Sequence, residues 1–417
     1  LQQQYTFTDN KYWFPQQLDF TMIFTEYPNK KLGMIIDSKS YIDKVVTNIP
    51  LNKKDFALEA IRIDENANKK DSLFWNKYRS EKLNFGEKQT YKLIDSIGRK
   101  NDFDYYLKVI EKITQNRFPL KYFDIDLSKT IIYNKYEGLR LGTGFYTNEK
   151  VFKHLTLGGF FGYGLKDKQW KYGGEAFYEI SRKREFIIGA KYQNNLIETG
   201  NYGLNLSDQN FLNYRKFIGF QYDKIEQSTL NISFRSLRYL EWKIAFNTTK
   251  TEPKYVYQFQ ENGKNFINYN NSDVAIDLRF AYKEKIIQSF GQNISTGTKY
   301  PVLNVSYSKG IKNVFNSDFN YNKIEMRIEQ SFFTKNLGTT SYRLEGGFID
   351  NPLPYGLLFT GEGGFDAKSP YMMKNTFETM KPYEFLSDQY VNLFLSQNIG
   401  GLLFKLDSFQ PSISLHN

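Results

Sequence analysis

The sequence predicts a mainly β protein: a transmembrane antiparallel barrel of the outer-membrane kind, preceded by a small β and helical region. Three observations predict it. Segment after segment beyond Tyr133 alternates apolar and polar side chains with a period of two, the spacing of a two-faced strand. Aromatic residues make up 18% of the chain, with 37 Phe and 32 Tyr against only 11 Pro, a bias that suits pleated surfaces. Very short connections occur among long ones, as outer-membrane barrels require.

Hydropathy does not oppose this. The mean hydropathy is −0.57, and no run approaches the roughly 20 apolar residues of a membrane helix. A wall with one face in lipid and the other in water has such an average. The same pattern would also fit a water-soluble β protein, in which the charged rows face solvent and the apolar rows pack on a second sheet.

The chain divides at the sequence level into a small β unit over 1–60, a helical segment over 61–118 and a barrel over 119–417. From Lys11 to Leu51 three short strands are expected, with Leu18, Phe20, Met22 and Phe24 on one face, a hairpin turn at Asn29–Lys31, and Tyr41–Ile49 as a further edge. Asp64–Asn68 (DENAN) spaces oxygen ligands like a calcium loop, but Lys69 stands at its glycine position and Trp75 at its final glutamate position, so it reads as a polar linker. Two helices follow. One carries Tyr91, Ile94 and Ile97 and is expected to end at Gly98; the other is capped by Asn101 and shows Phe103, Leu107, Ile110 and Ile113 as its apolar stripe.

About 13 strands are expected beyond Pro119. Tyr133–Asn148 reads as the opening one, with Leu139, Leu141, Thr143 and Phe145 on one face and Arg140, Gly142, Gly144 and Tyr146 on the other. Val274–Tyr282 and Asn322–Phe332 are the clearest later strands. In the second, Ile324, Met326 and Ile328 oppose Lys323, Glu325, Arg327 and Glu329. Trp170, Tyr172, Tyr178, Tyr192, Trp242, Phe246, Tyr282, Tyr307, Tyr342 and Phe348 fall towards strand ends, where interfacial girdles lie. Lys166–Lys168 and Lys183–Arg184 are short turns, while Lys250–Asp273 and Asn351–Ser387 are long. Asn195–Gln209 is long where counting from Tyr136 demands a short turn.

Chemistry is sparse. There is no Cys, and His154 and His416 are the only imidazoles, neither near a nucleophile elbow, so thiol chemistry and a hydrolase triad are excluded, and no cofactor, metal or catalytic residue is expected. The net charge of +11 comes from basic residues interspersed with 45 acids and forms no basic arm, which argues against nucleic acid as a partner. Gly142, Gly144, Gly158, Gly159, Gly162 and Gly164 sit inside strands, where they allow close contact with a neighbour. The candidate structural or functional residues are charged ones. Asp277, Arg279, Glu325, Arg327, Glu329, Arg343 and Glu345 would line a polar lumen; Glu137, Gly138 and Arg140 lie near the junction with the preceding region; Glu384 and Asp388 flank the long loop and would tether it into or over the lumen. Gly361, Gly363 and Gly364 give that loop flexibility beside the anchors Tyr355, Phe359 and Tyr383. The first residues, LQQQYTFTDN, do not read as a signal peptide, and closing strands are expected beyond Asn417.

The run YNKYEGLRLGTGFYTNE with GGFFGYGLKDKQWKYGG resembles the barrel entry of a large Bacteroidota outer-membrane family of unassigned function, whose members usually carry a carboxypeptidase-regulatory-like N-terminal domain. KYWFPQQLDF, DENANKKDSLFWNKYR, FPLKYFDIDL and LPYGLLF with KPYEFLSDQYVNLFLSQNIGGLLF extend the resemblance from Tyr12 to Phe404. More distantly, the YNxxEGxRLG start resembles BamA-type barrels, which implies about 16 strands in an even-numbered closed ring and places Asn351–Ser387 where that superfamily's sixth loop folds inward. The Arg-Gly-aromatic signature of that loop is not found in this segment. The resemblance implies an outer-membrane location with a periplasmic N-terminal region, contact with outer-membrane lipid and lipopolysaccharide, and other outer-membrane or periplasmic proteins as partners. Assembly, export or surface display of envelope proteins is the expected role; a channel for a solute or glycan and a soluble polysaccharide-binding β protein are the alternatives.

Overall fold

The computed structural model describes residues 2–8, 11–24, 34–50, 61–62, 70–79, 82–100, 109, 112–113, 115–200, 204, 218–261, 263–289, 292–335, 337–364, 375–400 and 413–416. It divides into two units: residues 1–97 with 288–293, and residues 98–287 with 294–417.

In the first unit β1 (Gln2–Thr8), β2 (Tyr12–Phe24) and β3 (Met34–Tyr41) form an antiparallel sheet in the order β1-β2-β3. Leu18, Phe20, Met22 and Phe24 share one side of β2, as expected, and stand opposite Ser40, Ser38, Ile36 and Met34 of β3. The expected edge at Tyr41–Ile49 is not a strand; β3 ends at Tyr41 and residues 42–50 are irregular. β4 (Ile61–Arg62) follows. Helix α1 (Ser72–Tyr78) starts at Asp71, whose carboxylate accepts the Phe74 amide at 2.8 Å. Helix α2 (Phe85–Lys100) opens with a reciprocal pair: Asn84 Oδ1 accepts from Glu87 N and Glu87 Oε2 from Asn84 N, both at 2.8 Å. It runs past Gly98, where the sequence placed its end; a helical glycine costs only about 1 kcal/mol and does not break the ladder. DENAN, the turn at Asn29–Lys31 and, of the Asn101 helix, residues 101–108 and 110–111 lie outside the described residues.

The second unit is one large antiparallel sheet. Its strands are β5 (Arg117–Pro119), β6 (Phe123–Asp126), β7 (Ile131–Asn134), β8 (Gly138–Thr147), β9 (Leu155–Gly164), β10 (Trp170–Ser181), β11 (Phe186–Glu198), β12 (Tyr222–Ser236) and β13 (Leu240–Pro253). After the separate hairpin β14 (Phe259–Glu261) and β15 (Lys264–Phe266) come β16 (Tyr269–Ala281), β19 (Val302–Gly310), β20 (Tyr321–Thr334) and β21 (Gly338–Ile349); between β16 and β19 in the chain stand β17 (Ile286–Ser289) and β18 (Gln292–Ser295), which pair outside this sheet and fall partly in the first unit. The short pair β22 (Phe359–Thr360) and β23 (Leu386–Ser387) precedes β24 (Gln389–Gly400) and β25 (Ile413–His416). Fifteen strands hydrogen-bond in the order β25-β24-β21-β20-β19-β16-β13-β12-β11-β10-β9-β8-β6-β5, with β7 also on β8. Among the described residues the two outermost strands do not meet.

β8 is not the opening strand. β6 and β7 both pair with it, Ile125 opposite Phe145 and Ile132 opposite Arg140, as one strand interrupted by a 3-10 turn at Leu127–Lys129. That extra strand reverses the parity of every later connection. Residues 148–154, 182–185, 237–239 and 335–337 make short links at one end; 199–221, 254–268, 311–320 and 350–388 make long ones at the other. The connection after β11 therefore belongs with the long loops, and the short turns at Lys166–Lys168 and Lys183–Arg184 lie at opposite ends. At the first end, 282–301 is the long exception, built around the β17–β18 hairpin.

The interruption explains one glycine. A Cβ on Gly142 would fall 2.9 Å from Lys129 O and 2.8 Å from Gly162 Cα, so the turn can fold against β8 only over a residue without a side chain.

Candidate functional site

The inner rows of this sheet surround a cavity of about 570 Å³. Strands from β7 to β20 line it, so the sheet curls until Arg140 and Lys323, on distant strands, share one space. Side-chain amides and hydroxyls hydrogen-bond along part of its wall. Gln193 Nε2 donates to Gln227 Oε1 at 2.8 Å, Thr229 Oγ1 to Asn247 Oδ1 at 2.9 Å, and Asn247 Nδ2 to Asp273 at 3.0 Å.

Glu137, Gly138 and Arg140 meet at the turn between β7 and β8. Gly138 has φ +65°, a left-handed conformation that favours glycine and lets the chain reverse there. Glu137 is fully buried and accepts from the Asn134 amide, while Arg140 Nε lies 3.4 Å and Lys171 Nζ 3.0 Å from its carboxylate; Asp167 completes the group through Lys171. Arg140 also donates to Asn195 Oδ1 across the curl at 2.8 Å. This cluster lies at the end with the long connections, because the extra strand of β6 and β7 runs the length of β8 before it.

On the far wall Glu325 accepts from Tyr390 Oη at 2.6 Å and from the Leu204 amide at 2.8 Å, while Arg327 binds Glu345 at 2.8 Å and the Leu204 carbonyl at 3.1 Å. Residue 204 of the long β11–β12 connection thus reaches the inner wall. So does the 350–388 loop. Lys323 Nζ donates to Leu357 O at 2.9 Å, Tyr257 Oη accepts the Tyr355 amide at 3.0 Å, and Tyr383 donates to Glu198 on the opposite side. Leu353, Leu357 and Phe359 pack with Tyr269, Phe319, Tyr321 and Ile349. The loop folds over the cavity, but not by the expected tethers: Glu384 accepts from the Lys381 amide within the loop, and the Asp388 carbonyl accepts from Ile349 N. A carboxylate flanked by its own loop backbone has no call to reach across.

At the short-turn end the charges form ladders. Arg279 binds Glu284 at 2.6 Å and Glu241 at 2.9 Å, Arg235 binds Glu185 at 3.0 Å and also Glu241, and Arg343 binds Glu329 at 3.2 Å. Asp277 accepts from Ser306 Oγ at 2.6 Å. Burial would raise the Glu284 carboxyl, but Arg279, Ser295 and Arg235 outweigh it and hold its pKa below the ordinary 4.5. Among the described residues no three His, Asp or Glu side chains gather around one ion position.

Residues 109–406 match the C-terminal domain of a family of unknown function (DUF5686). The chain belongs to that family. No curated protein matches it. Among solved structures it is similar to BamA from Haemophilus ducreyi lacking POTRA domains 1–3 (11% identity, 69% of this chain and 56% of that one, TM-score 0.44) and to CdiB from Acinetobacter baumannii (14% identity, 65% and 44%, TM-score 0.33). The chain spans about half the length of these structures.

In this DUF5686 domain the sequence pattern found the inner-row charges on β16, β20 and β21 but missed Lys171, Asp167, Asp223, Arg235, Glu284 and Tyr390. Lys171 was legible in retrospect: it stands on the inward row of β10, opposite Gly162, between the outward Trp170 and Tyr172. Tyr390 was hidden by its apolar ring, and Glu284 by lying in a connection where no period applies.

Proposed function

We propose that this protein is an outer-membrane β-barrel that works in the assembly, export or surface display of envelope proteins, within a larger complex and with its N-terminal unit in the periplasm. One observation carries the barrel reading: polarity is inverted. Lys171, Glu137, Glu325 and Glu345 are at most 2% exposed, while Val391 is 79%, Leu230 61%, Trp170 57% and Phe348 52% exposed. Each large apolar side chain left in water forfeits about 1.5–3 kcal/mol, and the outward rows hold many such side chains, including Ile188, Ile232, Ile324, Met326 and Leu393. Lipid removes that cost. Charged inner rows cost little where they pair or meet water.

The apolar rows reach the strand ends as rings of aromatics: Trp170, Tyr172, Tyr178, Tyr282 and Tyr307 are exposed, and Trp242 stacks on Phe234 with centroids 6.1 Å apart. In this reading lipid and lipopolysaccharide surround the wall, no reaction is catalysed and no cofactor is held. The folded-in 350–388 loop and Leu204 narrow one mouth of the cavity, which favours a protein-handling role over an open pore. The polar cavity, where amides such as Gln193, Gln227 and Asn247 stand among charged groups such as Arg140, Lys243 and Asp277, supports a second reading, passage of a solute or glycan.

Heat-modifiable migration on a detergent gel tests the barrel; a chain that migrates identically before and after boiling sinks it. Depletion is expected to lower the levels of other outer-membrane proteins. Unchanged levels together with conductance in planar bilayers would support the second reading instead.

A further inference from the structure

Helix α2 of the first unit is amphipathic, and its apolar side is exposed. At about 100° per residue, Leu93 and Ile94 stand on one side with Tyr91 at its edge, while Lys88 and Lys92, one turn apart, stand on the other with Asp95. Every described side chain of α2 except Glu87 is exposed, Phe85 at 78% and Ile94 at 63%. Helix α1 continues the pattern. Leu73 is 77% exposed, and Phe74 meets the rings of Trp75 and Tyr78 at 5.4 and 4.8 Å. Lys70 lies over Phe74 at 4.8 Å, and Arg79 lies 5.2 Å over the Tyr91 ring, so the two helices meet through basic and aromatic groups.

A 16-residue helix surrounded by water is marginal, because helices in proteins draw most of their stability from burying one face. Two features select lipid as the cover. The first is charge: residues 70–100 hold eight basic and four acidic residues, and two of the acids, Asp71 and Glu87, are engaged in helix caps. A net positive segment complements an anionic phospholipid surface. The second is side-chain type. Trp, Tyr and Phe mixed with Lys and Arg make up helices that lie in the membrane interface, where rings enter the acyl boundary and cationic ends stay among headgroups. On the barrel reading, the 16 residues 101–116 tether α2 to a strand of the membrane wall, which keeps a lipid surface within its reach.

We propose that α1 and α2 form an interfacial anchor that lies, apolar side down, on the anionic phospholipid of the periplasm-facing leaflet. The inference rests on the barrel reading for the nearness of that leaflet, and its test reads the helix separately. The chain has no Cys, so Leu93→Cys and Lys88→Cys each place a single environment-sensitive dye, on opposite sides of α2. The full chain is reconstituted into vesicles of phosphatidylcholine and phosphatidylglycerol. The dye at 93 is expected to shift to the blue and to be quenched by nitroxides on the acyl chains, and the dye at 88 to remain in water. Ile94→Cys gives the same readout if the first variant folds poorly. Lys88→Gln with Lys92→Gln should lower the ratio of lipid-bound to free label at 93 about 25-fold, about fivefold per basic residue. A dye at 93 that stays in water, or that is quenched no more than the dye at 88, overturns the proposal. So does a blue-shifted dye beyond the reach of the acyl-chain nitroxides, since the cover is then protein: a second copy, or the side of β2 on which Phe20 and Met22 are exposed. A chain that shows no heat-modifiable shift but gives the lipid signal at 93 retains the anchor and loses the barrel, so the two failures are told apart.

Discussion

Glu137 and Asp223 are both fully buried carboxylates on one sheet, and they differ in company. Glu137 lies between Arg140, Lys171 and the Asn134 amide; Asp223 has the Thr199 and Tyr255 hydroxyls beside it and, among the described residues, no basic side chain. Removing one member of a buried ion pair exposes the cost of the other, whereas removing an isolated charge relieves a cost. The lesson is that burial alone does not say whether a charge holds this wall together.

The two sites can be set against each other directly. Glu137→Gln takes the shared carboxylate from Arg140 and leaves Lys171 with Asp167 alone, and is expected to lower stability by about 3 kcal/mol in denaturant unfolding from detergent. Asp223→Asn should be neutral or stabilising in the same assay. If the two variants lose equal stability, the contrast is broken. An outward row provides the next largest effect: Leu230→Arg should cost about 2–4 kcal/mol in lipid vesicles if that row faces the bilayer core, and almost nothing if it faces water.

Smaller effects sharpen the comparison at the loop. Tyr383→Phe removes the bond to Glu198 at a cost of about 0.5–1.5 kcal/mol, and should be read mainly as faster protease cleavage within 350–388. The smallest is a pH effect at Glu284. Because its folded pKa is depressed below 4.5, its contribution to stability is present above that value and fades as pH falls through the lower folded value. Glu284→Gln should therefore flatten the acid limb of the stability–pH curve and leave stability above pH 4.5 lower throughout.

Much of the wall was legible because a strand has period two. Leu139 and Leu141 opposite Arg140, and Ile324 and Met326 opposite Lys323 and Glu325, announce their faces without reference to any partner. The opening strand was not, because Asp126–Thr130 breaks its period with a 3-10 turn. That single miss misdirected the parity of the connections and the placement of Glu137. Glu384 and Asp388 were selected by position next to a long loop, whereas the groups that anchor it, Lys323, Tyr383 and Tyr257, lie far from one another in sequence.

By itself the sequence determined which side chains stand on which face of each strand and that the exposed face is oily, since alternation is a property of the local backbone. Only the tertiary structure decided which charges meet, which loop covers the cavity, and that Asp223 is buried beside hydroxyls with no basic side chain among the described residues to pair with it. Those outcomes depend on how far the sheet curls and on strand order, and such long-range geometry leaves no periodic mark in a linear chain.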